Sequence, residues 1–512
     1  MKQKIKNALI SVSDKSDLSP ILKVLKKFKI EIISSGGTYH SIKKLGYNCT
    51  EISKYTGFKE MLGGRVKTLH PKIHAGILHD RNNKKHLKEM IKEKFPSIDL
   101  IIVNFYPFQK AVMNSKNQKK IIENIDIGGP TMVRAAAKNY NDVTVITSVD
   151  HYSGLINELK KNKGSTSLKF REKMSRLAFG ETAYYDAVIS NYFNKFNNIN
   201  FPKRKILYTN LIENLRYGEN PHQIGAFYSQ NMKNKLEQLH GKTLSYNNYS
   251  DIFAALTISK SLPKNTGTAI VKHGNPCGVS ALKNNLDSYK SALESDPISA
   301  FGGIISCNYK ITQKLALILN KIFLEVIVAD GFEKKALKIL KSKKNLRLID
   351  SSKITFNEIW KFNSVDNFTL IQSEDRKIFS KKDFRIVSKK KPNKSQLDNL
   401  MFAFNVCRYA KSNAIVLASN KSTVGIGSGQ PSRLDSCEIA IDKMNKFSKI
   451  KNDIVAASDA FFPFVDGVEK LVQSGVSAII QPAGSIRDKE IIKFANETNT
   501  VLIFSKTRHF RH

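Results

Sequence analysis

The order of apolar and polar positions in the first part of the chain predicts alternating strands and helices. Ala8 to Val12 is a short apolar run typical of a buried strand, and apolar residues then recur at helical spacing from Leu18 to Phe28. Further strand-like runs follow at Ile30 to Ile33, near Asn48 to Ile52, at Leu100 to Phe105 and at Val143 to Thr147. Such alternation favours a mostly parallel sheet covered by helices, so we expect one α/β domain over roughly the first 190 residues.

The polar segment from Asn194 to Lys205 is typical of a linker, because it is rich in Asn and Lys and contains Pro202. Beyond it, a second region begins near residue 205. The basic segment from Lys389 to Lys394 divides that region into two parts of similar order. We therefore expect domains at 1–195 and 205–512, with a seam near 390.

Similar strings in the two parts of this region indicate an internal duplication. In the first part, an apolar helix pattern precedes a strand at Ala269 to Val271 and the string from Ser295 to Phe301. In the second, a helix starting after Ser395 precedes a strand at Ala414 to Leu417 and the string Ser458-Asp459-Ala460-Phe461. Ser395 and Asp398 have the spacing of a capping box for that helix.

The chain of 512 residues is strongly basic, with 83 Lys and Arg against 44 Asp and Glu and a formal net charge of +39. This excess first suggests a nucleic acid or an acidic membrane as partner. The basic residues, however, occur as scattered pairs such as Lys26-Lys27 and Lys43-Lys44, without an interleaved aromatic stripe. We therefore interpret most of the charge as solvated surface and expect neither nucleic acid nor membrane as a partner.

Cysteine usage and hydropathy predict a cytoplasmic protein. The five cysteines lie far apart without a Cys-x-x-Cys motif, which suits a reducing compartment. The N-terminal apolar stretch is interrupted by Asp14 and is too short for a signal peptide. No apolar run reaches the roughly 18 residues of a membrane span.

Candidate anion-binding residues follow the predicted strands of the first domain. Ser35-Gly36-Gly37-Thr38 follows the second long strand and opens a helix, so its amides and hydroxyls can face a phosphate, although an ordinary strand-to-helix turn has the same pattern. The string from Gly63 to Pro71 adds Arg65, Lys67, Thr68 and His70. His70, His74 and His79 are alternative metal ligands, but no carboxylate or cysteine completes a recognisable metal-binding pattern.

One helix carries two further candidates at opposite ends. Asp126 precedes a helical run that ends near Lys138, and a continuous helix from Pro130 would place them up to roughly 15 Å apart. These two side chains cannot both touch one atom of a substrate.

The second region carries a Lys-His pair at the end of an apolar strand, in the string Lys272-His273-Gly274-Asn275-Pro276-Cys277-Gly278. A neighbouring cation favours a neutral imidazole that can accept a proton, although a solvated Lys-His pair is the commoner case. Pro276-Cys277 is half of a zinc deaminase signature, whose second Cys and His-x-Glu are absent, so zinc is not expected. The glycine-rich string from Gly425 to Arg433 does not have the dinucleotide-binding spacing.

Thirteen strings in order resemble one family, the bifunctional purine-biosynthesis enzymes that combine aminoimidazole-carboxamide ribonucleotide (AICAR) formyltransferase with inosine monophosphate (IMP) cyclohydrolase. These strings are SVSDK, SSGGT, GGRVKTLHP, NFYPF, DIGG, RAAAKN, LRYGENPHQ, VKHGNPCG, DPISAFGG, GSGQPSR, ASDAFFPF, GSIRD and RHFRH. The resemblance covers nearly the whole chain. It implies an α/β fold: an N-terminal parallel-sheet domain like methylglyoxal synthase, then two deaminase-like α/β subdomains.

The resemblance also implies two reactions and a homodimer with transferase sites at the subunit interface. The C-terminal region would transfer the formyl group of 10-formyltetrahydrofolate to AICAR, and the N-terminal domain would close the ring of the formylated product to give IMP. No tightly bound cofactor and no metal are implied. The catalytic residues implied are Lys272 and His273 for transfer, and Lys138, Lys67, Tyr106 and Asp126 for ring closure.

The remaining implied residues bind the substrates. For the cyclohydrolase site these are Ser13, Asp14, Lys15, Ser35, Gly36, Gly37, Thr38, Arg65, Thr68 and Asn104. For the nucleotide of the transferase they are Arg216, Tyr217, Gly302, Glu325, Asn413, Arg433 and Arg508, and for the folate they are Phe461, Asp466 and Ser485. Three positions depart from the family pattern: Asp330 for Pro, Val465 for Arg, and Pro431 for Met or Gln.

Overall fold

The computed structural model describes residues 2–230, 236–356, 360–450 and 452–512. It divides into two units, Met1–Thr209 and Asn210–His512. The division falls a few residues beyond the segment whose composition is typical of a linker. The last helix of the first unit continues into that segment and ends at Phe196.

The first unit consists of short strands alternating with helices. Its strands are β1 (Lys2–Lys4), β2 (Asn7–Val12), β3 (Glu31–Ser34), β4 (Thr50–Glu51), β5 (Leu100–Asn104), β6 (Thr144–Ile146) and β7 (Ser165–Ser167). Its helices are α1 (Leu18–Lys27), α2 (Gly36–Lys44), α3 (Ile52–Thr56), α4 (Pro71–Leu78), α5 (Lys84–Lys92), α6 (Phe108–Asn114), α7 (Gln118–Glu123), α8 (Gly128–Lys138), α9 (Tyr152–Lys161) and α10 (Leu168–Phe196).

Five of these strands form a parallel sheet in the order β4-β3-β2-β5-β6. The predicted strands of the first domain are therefore confirmed, as is the parallel sheet. Apolar residues of β2 and β5, such as Leu9 and Ile101, are fully buried beneath helices that include α1 and α8. Because the strands are parallel, their carboxyl ends share one edge, where ligand-binding loops of α/β sheets gather.

The second unit is larger and also alternates strands with helices. Its strands are β8 (Asn210–Leu215), β9 (Gly225–Ser229), β10 (Glu237–His240), β11 (Thr268–Lys272), β12 (Asn275–Ser280), β13 (Ile304–Cys307), β14 (Val326–Ala329), β15 (Arg347–Asp350), β16 (Trp360–Val365), β17 (Phe368–Ser373), β18 (Phe384–Ile386), β19 (Ile415–Ser419), β20 (Ser422–Gly427), β21 (Ile454–Ser458), β22 (Val476–Pro482) and β23 (Val501–Ser505). Its helices are α11 (Tyr246–Ser261), α12 (Asn285–Ser295), α13 (Pro297–Ala300), α14 (Gln313–Leu319), α15 (Lys334–Leu340), α16 (Lys394–Cys407), α17 (Arg433–Phe447), α18 (Asp466–Gln473) and α19 (Asp488–Glu497).

The main sheet of this unit contains one six-strand pattern twice. Its order is β10-β15-β14-β13-β11-β12 followed by β20-β19-β21-β22-β23-β18. In each half a hairpin (β11–β12, β19–β20) precedes three strands that are parallel to one another, and the outermost strand is antiparallel to its neighbour. The halves join where β12 pairs with β20 at Ser280 and Ser422. The predicted internal duplication is therefore confirmed.

Both faces of the duplicated sheet are covered. One continuous core contains residues of α11 and α16, for example Ile252 and Phe404. On the opposite face each half has its own core, one including Leu315 and the other including Leu471. α11 and α16 thus occupy the same place in the two copies.

One sequence prediction about α16 is wrong. The helix begins at Lys394, and its capping box consists of Asn393 and Gln396 rather than Ser395 and Asp398. Asn393 Oδ1 accepts the Gln396 N–H at 2.8 Å and Gln396 Oε1 accepts the Asn393 N–H at 3.1 Å. Both pairs have the spacing of a capping box. The sequence pattern alone therefore did not decide between two helix starts that lie two residues apart.

Within the described ranges, no helix combines the length and apolar character that a bilayer crossing requires.

The packing of α12 on β12 yields a stability prediction. A methyl group added at Gly278 would overlap the carbonyl oxygen of Ala292. Since both groups belong to ordered backbone, Gly278→Ala should destabilise the second unit by about 1–3 kcal/mol, measured by denaturant unfolding.

A matched glycine is available in α10, where nothing lies within 4 Å of a methyl group added at Gly180. Gly180→Ala should leave stability unchanged or raise it by about 0.5–1 kcal/mol, because alanine favours a helix. Equal unfolding free energies for the two variants would contradict the close approach of α12 to β12.

Candidate functional site

The start of α2 is a candidate anion-binding feature in the first unit. Ser35 is the N-cap but makes no side-chain capping hydrogen bond, and Gly36 has a φ of 46°. A Cβ at Gly36 would lie 2.5 Å from Lys67 Nζ, and one at Gly37 would lie 3.9 Å from Lys15 Nζ. Two ammonium groups thus lie beside free amides at a helix N-terminus, which suits a phosphate. Glycine at both positions leaves room for the lysines.

The loop after β2 is held by side chains from neighbouring elements. Asn104 Oδ1 accepts the backbone N–H groups of Ser13 and Asp14 at 2.6 and 2.9 Å, and Asn104 Nδ2 donates to the Asp14 carbonyl at 3.0 Å. Asn104 therefore fixes the loop that carries Lys15. Thr38 has a similar role, because its buried hydroxyl bonds the N–H and the carbonyl of Val12, both at 3.0 Å.

Asp126 lies at the start of α8. Its Oδ1 accepts the Gly129 N–H at 2.8 Å, and its own N–H donates to the Tyr185 hydroxyl at 2.8 Å. Burial raises the pKa of Asp126 above its usual value, although hydrogen bonds from the backbone of Gly129 and Tyr106 oppose the shift.

Tyr106 and Thr68 complete this part of the site. Burial, followed by the charges of Asp126 and Glu60, raises the pKa of Tyr106. The Thr68 hydroxyl lies against Gly128, where a Cβ would overlap it. Glu60, which the sequence analysis missed, accepts a hydrogen bond from Lys67 Nζ at 3.2 Å, and its charge also raises the pKa of Tyr106.

Two predicted residues of this unit lie apart from these contacts. Arg65 forms an exposed ion pair with Glu123, and such pairs are weak enough to be exchanged for an anionic ligand. Lys138 is exposed at the C-terminal end of α8, and Asp126 precedes its N-terminal end. The helix is continuous, as the sequence analysis assumed, so Lys138 and Asp126 do not meet.

The Lys-His pair of the second unit lies at the hairpin between β11 and β12. Lys272 pairs with Asn275 across the hairpin, and His273 and Gly274 form the two-residue turn with φ values of 53° and 74°. Lys272 Nζ donates to the Phe301 carbonyl at 2.8 Å. The His273 side chain is exposed, and the Lys272 side chain is half-buried. Both lie where β11 ends.

A second group, centred on Glu325, contains both predicted and unpredicted residues. Asn248 Nδ2 donates to Glu325 Oε2 at 2.9 Å, and Arg347 lies 3.8 Å from the same oxygen. Burial lowers the pKa of Arg347; the nearby Glu325 raises it, and the charge of Arg216 lowers it further. Arg216 and Glu325 are thus brought to one place, together with Asn248 and Arg347, which sequence reasoning missed.

Asn413 and Arg433 form the third group. Arg433 is buried and donates to Asp459, to Ser458 Oγ at 2.8 Å and to Asn413 Oδ1 at 2.7 Å. Asn413 Nδ2 in turn donates to the carbonyl of Pro431 at 2.8 Å. Arg433 therefore orients Asn413 from beneath.

A cavity of about 400 Å³ opens beside this group. Its lining includes four predicted residues, which are Asn413, Arg433, Phe461 and Asp466, together with Phe510 near the C-terminus. The Arg508 guanidinium lies 4.7 Å from the Phe510 ring centroid. Ser485 accepts the Arg487 N–H at 3.2 Å in the following loop and is absent from the lining.

A hydrogen bond links the hairpin of the Lys-His pair to the segment that carries Asn413. The Lys411 N–H donates to Asn275 Oδ1 at 3.1 Å, so the segment that carries Asn413 is bonded to the first residue of β12. This bond fixes the hairpin of Lys272 and His273 relative to the segment of Asn413.

The three departures from the family pattern have distinct surroundings. Asp330 accepts a hydrogen bond from Lys260 Nζ at 2.9 Å and another from Ser351 Oγ at 2.8 Å. Val465 packs against the core beneath α18. Pro431 lines the cavity and supplies the carbonyl that Asn413 bonds.

The residues that the sequence analysis weighed for metal or nucleotide binding have the following surroundings. Within these ranges no three His, Cys, Asp or Glu side chains form a group able to hold a metal ion. His70 Nδ1 accepts the Lys72 N–H at 3.1 Å, and His79 lies 3.0 Å from Ser97 Oγ. Gly425 and Gly427 lie within β20, where side chains would overlap the backbone of α17.

Comparison with known proteins gives matches to two family models and to relatives over nearly the whole chain. The family model described as AICARFT/IMPCHase bienzyme matches residues 136–443, and the MGS-like domain model matches residues 17–131. The chain is 44% identical over 512 residues to the bifunctional purine biosynthesis protein PurH of Leptospira biflexa serovar Patoc, covering 99% of both chains. The proteins of that name from Acetivibrio thermocellus and Persephonella marina are 43% and 44% identical, each over 99% of this chain and 100% of the relative. The chain belongs to the AICARFT/IMPCHase bienzyme family.

Proposed function

We propose that this chain transfers the formyl group of 10-formyltetrahydrofolate to AICAR and then closes the ring of the product to give IMP. As a member of its family, the chain is an AICAR formyltransferase and IMP cyclohydrolase of purine biosynthesis. The observation that carries the proposal is the full-length identity to relatives, with Lys272 and His273 adjacent at the end of β11. We assign ring closure to residues 1–195 and formyl transfer to 205–512, with its two deaminase-like subdomains.

In formyl transfer, the amine nitrogen of AICAR attacks the formyl carbon and must lose a proton. His273 is the general base that takes this proton. The bond from the formyl carbon to the folate nitrogen then breaks, and that nitrogen needs a proton to leave as an amine. Lys272, whose ammonium is anchored by the Phe301 carbonyl, supplies that proton or stabilises the developing charge.

The surrounding residues would hold the two substrates. Because guanidinium groups recognise phosphate and carboxylate in a bidentate manner, Arg216 and Arg508 suit an anionic nucleotide. We assign nucleotide binding to these two residues and to Tyr217, Gly302, Glu325, Asn413 and Arg433. We assign folate binding to Phe461, Asp466 and Ser485; the cavity beside Phe461 and Asp466 supports this assignment.

In ring closure, the carboxamide nitrogen attacks the formyl carbon, and the former formyl oxygen leaves as water. Lys67, Tyr106 and Asp126 orient the amide and the departing oxygen, with Lys138 as the proton-transfer candidate. The start of α2 with Lys15 and Lys67 would bind the phosphate, because the helix dipole and both ammonium groups favour an anion. For Lys138 the support is the family string, and its position at the C-terminal end of α8 limits it to a part of the substrate far from Asp126.

We further propose a cytoplasmic homodimer that uses folate as cosubstrate, holds no tightly bound cofactor and binds no nucleic acid. The dimer rests on family membership. The compartment is supported by the five cysteines, all of which are free thiols and four of which are buried.

The first test is an assay of the purified chain with AICAR and 10-formyltetrahydrofolate, which should yield IMP. His273→Ala should lower kcat for formyl transfer by about 10²–10⁴-fold, because the general base is lost. The same variant should close the ring of formylated AICAR at the normal rate. Loss of both activities in a folded His273→Ala protein would contradict the assignment of two separate sites.

The raised pKa of Asp126 gives a pH prediction for ring closure. Burial keeps this carboxyl protonated at pH values where a free Asp is ionised, so the rate should fall on acidification with a midpoint above the ordinary 3.8. Asp126→Asn should remove this acidic limb from the pH profile and lower the rate at neutral pH. Asp150→Asn, which changes an exposed carboxylate, is the control, and an unaltered limb in Asp126→Asn would show that another group titrates.

A further inference from the structure

The turn that carries His273 is fastened from beneath by a residue outside the assigned site. Asp251, on α11, accepts the His273 N–H through Oδ2 at 3.1 Å and the Gly274 N–H through Oδ1 at 2.6 Å. Both residues of the two-residue turn have positive φ, and His273 at 53° lies in a region that favours glycine. The two hydrogen bonds therefore hold a backbone conformation that is unfavourable for histidine.

The duplicated half of the sheet contains the same arrangement without a histidine. Its hairpin joins β19 to β20 through Asn420 and Lys421, with φ values of 46° and 52°. The Lys421 N–H donates to Asn399 Oδ1 at 2.8 Å.

Asn399 and Asp251 hold equivalent positions. Each lies six residues after the N-cap of its helix, which is Ser245 for α11 and Asn393 for α16. Both helices cover the same face of the sheet. The contact from helix to turn is thus a property of both copies of the fold.

The copies differ in the number of N–H groups that the helix residue accepts. Asn399 accepts one, from the second residue of its turn, whereas Asp251 accepts both. A side-chain amide has a single acceptor oxygen, but a carboxylate has two. Asp251 therefore has one acceptor oxygen for each N–H of its turn, whereas an asparagine has one acceptor oxygen in all.

We propose that Asp251 is a positioning residue for formyl transfer, which fixes the backbone of His273 so that the imidazole faces the amine of AICAR. This proposal rests on the proposed function of His273. Lys272 is fixed separately, through its bond to the Phe301 carbonyl, so Asp251 acts on the base rather than on the cation. Asn248, one turn earlier on α11, bonds Glu325, so the same helix orients the base and a nucleotide-binding residue.

The test is Asp251→Asn in the full chain, which keeps one acceptor, beside Asp251→Ala, which keeps none. We expect kcat for formyl transfer to fall by about 10- to 100-fold in Asp251→Asn, as small misplacements of a catalytic group do. The fall should be larger in Asp251→Ala. The KM values for AICAR and the folate should stay unchanged, because the substrate-binding groups are not moved, and ring closure should proceed at the normal rate.

Asn399→Ala provides the matched control, because it removes the equivalent helix-to-turn bond from the copy without a histidine. It should lower the melting temperature at least as much as Asp251→Asn does and leave kcat for formyl transfer unchanged. Equal falls of kcat in the two variants, or a rise of KM with unchanged kcat in Asp251→Asn, would overturn the proposal. If the wild-type chain transfers no formyl group, the proposed function itself fails, which the wild-type assay distinguishes from a failure at Asp251.

Discussion

The second unit depends on a buried ion pair between Arg433 and Asp459. Asp459 is fully buried, and besides Arg433 it accepts the Ser412 hydroxyl at 2.6 Å, while its carbonyl accepts the His509 N–H at 2.8 Å. The carboxylate of this residue, directly after β21, thereby binds α17 and the segment before β19, and its backbone carbonyl binds the segment at the end of the chain. A buried charge left without its partner typically costs about 3–5 kcal/mol, so these segments are strongly coupled. Arg433 and Asn413, which Arg433 bonds, both line the cavity of the second unit.

The two candidate sites handle negative charge by different means. In the first unit the anion-binding feature is a helix N-terminus with two lysines, whose point charges tolerate varied geometry. In the second unit it is a set of arginines, of which Arg433 is committed internally and Arg508 stacks on Phe510. Few of the many basic residues take part in either feature. The net charge of +39 therefore says little about function, since most of it lies outside these groups.

The local sequence pattern predicted those features that depend on interactions between residues close in sequence. The strands of the first unit, the glycine turn at Gly36 and the separation of Asp126 from Lys138 all follow from periodicity and helix rise. Contacts between segments that are far apart in sequence could not be predicted from such patterns. Asp251 looks like an ordinary polar residue of a helix, and only the fold brings it to His273. Glu60 shows the same limit, because its role depends on both Lys67 and Tyr106.

The duplication explains why a strained turn lies at the candidate transferase site. A two-residue hairpin with positive φ at both positions matches the twist of its strands, and the fold uses it in both copies whatever residues fill it. The second copy fills its turn with Asn420, which tolerates this conformation, and Lys421, whose N–H is bonded by Asn399. The first copy places His273 there, where the side chain is exposed beside Lys272 but the backbone needs support. The second oxygen of Asp251 provides that support. The position of the His273 backbone therefore depends on an aspartate, rather than an asparagine, on the neighbouring helix.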